Sequence, residues 1–487
     1  MSLIAREEEV SILENLYSSD RPEFLALYGR RRVGKTFLIR SFFEPKKAIF
    51  FNVTGAKKGS MGEQIGHFTE RMSAIFYDGL KIQAEKTWDA TFKVLTEAFA
   101  KQVPKNKKII LFFDELPWMA TRNSRLLEAL DYYWNQFWSN DKRIKLVICG
   151  SSAAWIINKV INNKGGLHNR VTRRIHLEPF NLSQTKLFLS SLGVKLNHHQ
   201  ILTLFMVMGG VPYYLLQVEK GFSAAQIIER LAFSKKSFLM DEFDNLFASL
   251  FEDGDSYIQI VRLLAAHPYG MGERTLLETL GKYAVGGTGH KKLKELEQTG
   301  FIMSFKPLFH KKRGTYYRLT DEYTLFYLKW IEPIKGALQK ESLDQENWQA
   351  MQLTPAWYSW QGFAFETICY KHISKIKSAL NLIAMSFAGT WRYAPKRGSQ
   401  NSGAQIDLLF DRQDNSITLC EIKYSEEAFV LKKDYAEILQ KKIQVFKEAT
   451  RTKKQIFMAL IASGGLKHNA YAEELISKVV ILDDFFK

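Results

Sequence analysis

The chain has 487 residues, 46% of them hydrophobic, only 11 prolines, and a formal net charge of +17. That supply of apolar residues supports about two to four domains and excludes a largely disordered chain. Three widely spaced cysteines, Cys149, Cys369 and Cys420, with no CxxC or Cys/His cluster, exclude a disulfide framework or a zinc site and read as reduced core residues.

The first ten residues carry three consecutive glutamates, Glu7 to Glu9, and no apolar core of a secretory signal. No uninterrupted apolar run approaches the ~20 residues that span a membrane. The expectation is a cytoplasmic protein with no membrane partner. The basic balance favours a polyanion, either nucleic acid or an anionic membrane face; without a basic amphipathic anchor helix, nucleic acid is the better match.

Residues 5 to 17 are predicted as a short amphipathic helix, with Val10, Leu13 and Leu16 on one face. The run Phe24-Leu-Ala-Leu-Tyr28 is then a buried strand or a short buried helix. It leads into Gly29-Arg30-Arg31-Arg32-Val33-Gly34-Lys35-Thr36, the phosphate-loop pattern GxxxxGKT. Gly29 and Gly34 let the backbone curl and turn its N–H groups toward a triphosphate. Lys35 supplies a cation to the β- and γ-phosphates, and the Thr36 hydroxyl suits Mg²⁺. The following segment, Phe37 to Phe43, can be a helix whose N-terminus faces the phosphates.

A second strand is expected over Lys46–Val53, and helix over 61 to 103 with a break near Asp78-Gly79. Lys108-Ile-Ile-Leu-Phe-Phe-Asp-Glu115 reads as a strand buried on both faces, of the kind found in parallel sheets. It ends in two acids. Ligands bind beyond the carboxyl ends of such strands, so Asp114 is a candidate for the Mg²⁺ water shell and Glu115 for polarising the attacking water. An aromatic-rich helix over 122 to 138 and a strand over Ile144–Cys149 follow. Ser151 or Ser152 just beyond can sense the γ-phosphate or simply make a turn. A short fifth strand falls at Arg173–Leu177. The alternation of strand and helix predicts a doubly wound α/β domain.

Arg6-Glu7-x-Glu9, GRRRVGKT, Phe-Asp-Glu-Leu-Pro-Trp, Cys-Gly-Ser-Ser and Gly209-Gly210-Val211-Pro212-Tyr213 together resemble the archaeal-type ATPases of the STAND/AAA+ group. The motifs span residues 6 to 213. The resemblance implies ATP and Mg²⁺ as cofactors, and a helical lid carrying Gly210 and Pro212 close to the nucleotide. It also implies an arginine acting near the phosphates. Arg170 falls at the family's place, although the tripeptide before it departs from the usual wording, and Arg173 and Arg174 compete with it. Such ATPases act as monomers or assemble, so a homo-oligomer stays open.

Residues 181 to 250 are helical by pattern and would form the lid. Helices are predicted over 256–267, 273–281 and 288–299, then a hairpin from Gly300 to Leu319. Three helices and a basic hairpin make a winged helix-turn-helix pattern. Lys291, Lys292 and Lys294 on the third helix, with Lys311, Lys312 and Arg313 on the wing, would meet phosphates; a protein-docking spacer is the other reading. Residues 321 to 358, rich in aromatics, read as helical packing between modules.

From Trp360 the pattern resets. Gln361 to Cys369 reads as a helix with one acid, Glu366. After the basic loop Lys396–Ser402, Gln405–Asp411 and Ser416–Tyr424 read as strand, turn and strand. Glu421 and Lys423, two apart, share a strand face, and Asp407 joins it if 407 lies opposite 421. Converging carboxylates beside a lysine suit Mg²⁺ or Mn²⁺, with Glu366 able to add a third and Lys423 able to orient water and stabilise charge on a phosphate. The layout Glu … Asp … Glu-x-Lys resembles the PD-(D/E)xK restriction-endonuclease-like nucleases, over roughly residues 359 to 487. Ile406 stands where that family often has proline.

The expected division is therefore an ATPase core over 1–180, a lid over 181–250, a winged helix over 251–320, a helical connector over 321–358 and a nuclease-like α/β domain over 359–487. The functional expectation is an ATP-binding and hydrolysing protein, its nucleotide switch coupled to Mg²⁺-dependent DNA binding or cleavage. The alternative is a STAND-type regulatory switch whose last domain only binds DNA or protein.

Overall fold

A computed structural model describes residues 3–162, 167, 169–235, 237–251, 253–284, 287–309, 314–340, 347–382, 385–395 and 403–487. The chain divides into two compact units, Met1–Pro179 and Phe180–Lys487.

The first unit is built on a five-stranded sheet: β1 (Glu23–Tyr28), β2 (Ile49–Thr54), β3 (Ile109–Asp114), β4 (Ile144–Gly150) and β5 (Arg173–His176). All pairings are parallel, and the order is β2-β3-β4-β1-β5. β3 and β4 are buried at every position, because both sheet faces are covered. On one face Phe51, Phe68, Trp88, Phe92, Phe113 and Trp138 share a core; on the other, Leu13, Leu16, Leu25, Ile39, Phe43 and Val147 do. This double burial is what the unbroken apolar runs encode.

Helices Glu7–Ser18, Lys35–Phe43, Met61–Phe76, Trp88–Gln102 and Leu126–Gln136 connect or flank these strands. The helical stretch expected over 61 to 103 with a break near Asp78-Gly79 is two helices, separated by residues 77–87. Its first half starts at a capping box in which Ser60 and Glu63 satisfy each other's backbone. The aromatic helix begins at Leu126 rather than 122, because Arg125 before it is left-handed (φ 53°).

The second unit opens with helices Leu182–Ser191, His198–Met208, Pro212–Leu215, Ala224–Ile228 and Phe238–Leu250. Helices Gly254–Ala265, Glu273–Leu280 and Thr288–Gln298 follow, accompanied by a small antiparallel sheet of order β6-β8-β7: β6 (Met271–Gly272), β7 (Ile302–Phe305) and β8 (Tyr316–Leu319). The expected hairpin is β7 and β8; β6, two residues long, adds a third strand that no sequence period marks. His310 to Arg313 and the basic loop 396–402 lie outside the described residues. The connector packs its aromatics on one another, with Trp348 and Trp357 ring centroids 4.6 Å apart.

The last part of the chain carries helix Pro355–Lys371 and a second five-stranded sheet: β9 (Ser386–Tyr393), β10 (Ala404–Arg412), β11 (Ser416–Lys423), β12 (Gln455–Ala462) and β13 (Lys478–Val480). The order is β13-β12-β11-β10-β9; β9, β10 and β11 pair antiparallel, whereas β12 and β13 run parallel to β11. Helix Lys433–Thr450 makes the crossover from β11 to β12, burying Ala436, Leu439 and Phe446. No helix among the described residues is long and apolar enough to cross a membrane.

Candidate functional sites

β1 ends at Tyr28, and the phosphate loop turns away at once. Gly29 has φ 152°, and a Cβ there would lie 2.2 Å from the Leu177 carbonyl oxygen, so a side chain is excluded. Gly34, with φ 93°, breaks the loop into helix Lys35–Phe43. Lys35 is buried, and its Nζ donates to the carbonyls of Gly29 (2.9 Å) and Arg30 (2.8 Å). The ammonium is thereby held inside the curl of the loop. Arg30 and Val33 are buried, and Arg31 and Arg32 are half-buried. Arg6 braces the loop from outside, donating to the Val33 carbonyl (3.3 Å) and the Glu178 carbonyl (2.9 Å).

The carboxyl ends of β3 and β4 complete the site. Thr36 Oγ1 donates to Asp114 Oδ2 at 2.7 Å. This hydroxyl–carboxylate pair is the hard-oxygen donor set that fits Mg²⁺ accompanying a triphosphate. Glu115 adopts the left-handed region (φ 48°), which swings its side chain off the strand direction. Its Oε2 accepts from the Ser151 backbone N–H (3.0 Å) and from Ser151 Oγ (2.9 Å). Burial pushes the Glu115 carboxyl up from its ordinary value, against the opposing pull of Lys35 and the Ser151 hydrogen bonds. Ser151 thus orients Glu115.

Arg170 lies exposed in a turn after left-handed Asn169. Arg173 and Arg174 are exposed on β5. Arg173 is 3.8 Å from Glu23, and Arg174 acts on Tyr28 at the end of β1, opposing the upward push that burial gives the phenol. In the second unit, Phe180 N–H donates to the Gly210 carbonyl (2.7 Å), and a Cβ at Gly210 would meet the Phe180 carbonyl oxygen at 1.7 Å. Pro212 opens the short helix Pro212–Leu215, where its missing N–H and fixed φ suit a first turn.

A second cluster forms where β10 and β11 pair. Leu408 faces Cys420 and Leu409 faces Leu419; the pairing ends there, and Asp407 reaches β11 through its side chain. Asp407 and Glu421 are both buried. Asp407 Oδ2 accepts from the Ile422 backbone N–H (3.1 Å), and its carbonyl accepts from the Tyr370 hydroxyl (3.0 Å). Glu421 is held from three sides: Oε1 by the Tyr435 hydroxyl (2.5 Å) and Lys423 Nζ (3.1 Å), Oε2 by Lys442 Nζ (2.6 Å).

The charges in this cluster act on one another. Burial, then the neighbouring Asp407, pushes the Glu366 carboxyl up to about 8. Burial and Glu421 push Asp407 up to about 6. Burial also works to raise Glu421, but Lys442 and Lys423 outweigh it and hold that carboxyl below its ordinary value. Three acids and two lysines therefore act on one another, with Asp407 and Glu421 buried and Glu366, Lys423 and Lys442 half-buried. Among the described residues, no group of three or more His, Cys, Asp or Glu side chains is placed so that it could hold a metal ion. The donor chemistry of Glu366, Asp407 and Glu421 suits Mg²⁺ or Mn²⁺, but lysines and a tyrosine now take the Glu421 oxygens.

On helix Thr288–Gln298, Lys291 and Lys294 are exposed, whereas Lys292 is drawn to Asp253 (3.0 Å) with its side chain only 15% exposed. The sequence expectation that all three meet phosphates is corrected for Lys292: Asp253 already neutralises it.

Residues 3–218 match the family described as an ATPase domain predominantly from Archaea. This part of the chain is an archaeal-type ATPase domain. An uncharacterized protein of Methanocaldococcus jannaschii is 26% identical over 443 residues, covering 90% of this chain and 91% of that protein. An uncharacterized ATP-binding protein of the same organism is 48% identical over 44 residues, 9% of this chain and 75% of that protein. Among solved structures, a Walker-type ATPase of Pyrococcus abyssi is similar at a TM-score of 0.48 and 18% identity, over 67% of this chain and 96% of that one.

The ATPase domain contains the phosphate loop, Asp114, Glu115 and Ser151 that the motifs single out. Sequence reasoning passed over two residues of the other cluster, Tyr435 and Lys442. Their signal is their spacing: seven residues apart, two helical turns, they project from one face of helix Lys433–Thr450 toward Glu421.

Proposed function

We propose that the archaeal-type ATPase domain is the switch of a protein whose second unit binds DNA and cleaves it with Mg²⁺. The observation that supports this reading is that buried Glu421 is ion-paired with Lys423 and lies near enough to buried Asp407 to help raise its carboxyl, which in turn helps to raise that of Glu366. Buried charge is costly unless used or compensated, and perturbed carboxyls concentrate at functional sites. When bound there, Mg²⁺ would polarise a phosphodiester oxygen and favour hydroxide as the nucleophile. Lys423 would orient that nucleophile. Asp407 is kept in place by the Ile422 N–H and by the Tyr370 hydroxyl on its own carbonyl.

In the ATPase domain, Lys35 would turn from the Gly29 and Arg30 carbonyls to the terminal phosphates, Thr36 and Asp114 would hold Mg²⁺, and Glu115 would polarise water. Arg170 or Arg174 would answer the γ-phosphate, and Gly210 and Pro212 would form part of the lid. Helices Gly254–Ala265, Glu273–Leu280 and Thr288–Gln298 with strands β6 to β8 would act as a winged helix, with Lys291 and Lys294 meeting DNA phosphates. The net charge of +17 supports a polyanionic partner.

A second reading is favoured by one observation: both Glu421 oxygens are already engaged, as in a structural ion-pair network. On that reading the chain is a STAND-type regulatory ATPase, and the last domain only binds DNA or protein. The test is plasmid DNA with Mg²⁺ or Mn²⁺, with and without ATP, using wild type, Lys35→Ala and Glu421→Ala. The nuclease reading expects cleavage that Glu421→Ala abolishes while ATP turnover persists, and turnover that Lys35→Ala lowers by at least about 100-fold. No cleavage under any condition, with turnover still lost in Lys35→Ala, leaves the regulatory switch.

A further inference from the structure

Gln64 is a polar residue on the buried face of helix Met61–Phe76, with only 1% of its surface exposed. A buried carboxamide is costly unless its donors and its acceptor are met. Here they go to backbone. Gln64 Oε1 accepts from the Ala56 N–H (2.9 Å), and Nε2 donates to the Ala56 carbonyl (2.7 Å) and to the Trp118 carbonyl (3.2 Å). One side chain therefore ties together two segments that leave neighbouring strands: the loop after β2 and the short helix Leu116–Met119 after β3. The same segments are pressed on each other. The Gly55 N–H donates to the Asp114 carbonyl (2.9 Å), and a Cβ at Gly55 would lie 2.6 Å from the Glu115 carbonyl oxygen and 2.9 Å from Met119 Cγ. On the other side, Pro117 sits against the end of β4, where a Cβ at Gly150 would meet its ring at 2.9 Å. Glu115 opens this short helix in the left-handed region (φ 48°), and the Trp118 N–H returns to the Glu115 carbonyl (2.9 Å).

We propose that Gln64 is a positioning residue for ATP hydrolysis, fixing the turn from which the Glu115 carboxylate is aimed. This rests on the reading of Glu115 as the group that polarises the attacking water. A left-handed glutamate persists only where its surroundings over-determine it. Ser151 fixes the carboxylate end of that residue through two hydrogen bonds. Gln64 fixes the backbone end, through the Trp118 carbonyl within the turn that Glu115 opens. Without the Gln64 amide, the Trp118 carbonyl and both polar groups of Ala56 lose that partner, and the turn is free to drift. A displacement of about 1 Å in a group that acts on the reacting atoms costs up to about 100-fold in rate. Affinity does not depend on this clamp in the same way. Lys35, Thr36 and the loop backbone, which suit the phosphates, follow β1, and β4 stands between β1 and β3. The signature of Gln64 is accordingly a loss of turnover without a loss of ATP binding.

The test uses the full chain as wild type, Gln64→Met, Gln64→Glu, Glu115→Gln, and Gln64→Met combined with Glu115→Gln. Equilibrium ATP binding and single-turnover hydrolysis are measured with Mg²⁺, and amide exchange is followed without nucleotide. Gln64→Met keeps the length of the side chain and removes its hydrogen-bonding atoms. It is expected to bind ATP within about threefold of wild type, to hydrolyse it about 10- to 100-fold more slowly, and to exchange the Ala56 N–H faster. Gln64→Glu keeps an acceptor for the Ala56 N–H but sets a carboxylate against two carbonyls. The same split is expected of it, and it carries the test if Gln64→Met does not fold. In the Glu115→Gln background, adding Gln64→Met is expected to cost less than about threefold, because the group it aims is already removed. Parallel loss of ATP binding and hydrolysis, or failure of both Gln64 variants to fold, means that Gln64 holds up the domain as a whole, and overturns the proposal. Unchanged hydrolysis or unchanged Ala56 exchange in Gln64→Met overturns it, as does a full further loss in the double variant. If Glu115→Gln alone hydrolyses ATP like wild type, the reading of Glu115 falls by itself, and the role of Gln64 falls with it.

Discussion

The phosphate loop and the Glu421 cluster are chemical mirror images. In the ATPase domain a cation, Lys35, rests on two backbone carbonyls until an anion arrives. In the second unit an anion, Glu421, rests on two lysines and a tyrosine. In both places a buried charge is satisfied by partners on hand, which avoids the penalty of leaving it bare. They differ in how they are assembled. The first comes from one eight-residue loop and the ends of neighbouring parallel strands. The second draws on a helix, two antiparallel strands and a crossover helix, spread over residues 366 to 442.

The largest expected effect that would sharpen this contrast is Glu115→Gln. It keeps the phosphate loop, so nucleotide affinity in an equilibrium binding assay should stay near wild type, while steady-state hydrolysis should fall by about 100- to 10,000-fold. Loss of binding instead would mean that Glu115 shapes the loop rather than the chemistry. A smaller effect is expected from Gly210→Ala. The new methyl meets the Phe180 carbonyl oxygen at 1.7 Å, so the second unit should lose about 1–3 kcal/mol in denaturant unfolding. A change within error would show that this close approach relaxes freely.

The gentlest prediction separates two buried groups of the second unit by pH. Glu366 has its carboxyl raised to about 8 by burial and Asp407. The folded state then holds a proton that the unfolded chain releases, so with chelator present stability should fall as pH rises from the ordinary glutamate range to about 8. Glu366→Gln should flatten that part of the melting-temperature profile and raise it at neutral pH. His372 carries the opposite sign. Burial drops its imidazole to about 4, and Nε2 accepts from the Leu182 N–H at 3.2 Å. Its contribution is present above the ordinary histidine range and is lost as pH falls toward about 4. A melting profile unchanged by Glu366→Gln would mean that Glu366 carries no excess proton.

The sequence made the ATPase domain legible because each of its signals is local. The loop pattern, the fully apolar strands and the acids ending β3 are contiguous, and the flanking turn residues mark those short apolar runs as strands. The hairpin β10–β11 was legible as two apolar runs around a polar turn, and parity placed Glu421 and Lys423 on one strand face, where they form an ion pair. The edge strand β9 was not, because Ser386-Phe-Ala-Gly-Thr-Trp-Arg-Tyr mixes polar and small residues, and only Trp391 is buried. Lys442 was not assigned a role because a lysine on a helix ordinarily reads as solvated surface. Only the tertiary crossover brings it to a strand residue 21 positions earlier. Lys292 erred the other way, since Asp253 lies 39 residues before it.

Arg6 gives the edge of the ATPase domain an unexpected weight. Its guanidinium ties the loop at Val33 to Glu178, just beyond the last strand of the first unit, and burial lowers its pKa despite the help of Glu9. The grip on phosphate is therefore fastened by a clasp whose two halves come from opposite margins of the domain. Proteolytic trimming or splicing that spares the phosphate loop, Asp114 and Glu115 but removes Arg6 would leave the nucleotide pocket complete in composition and loose in shape.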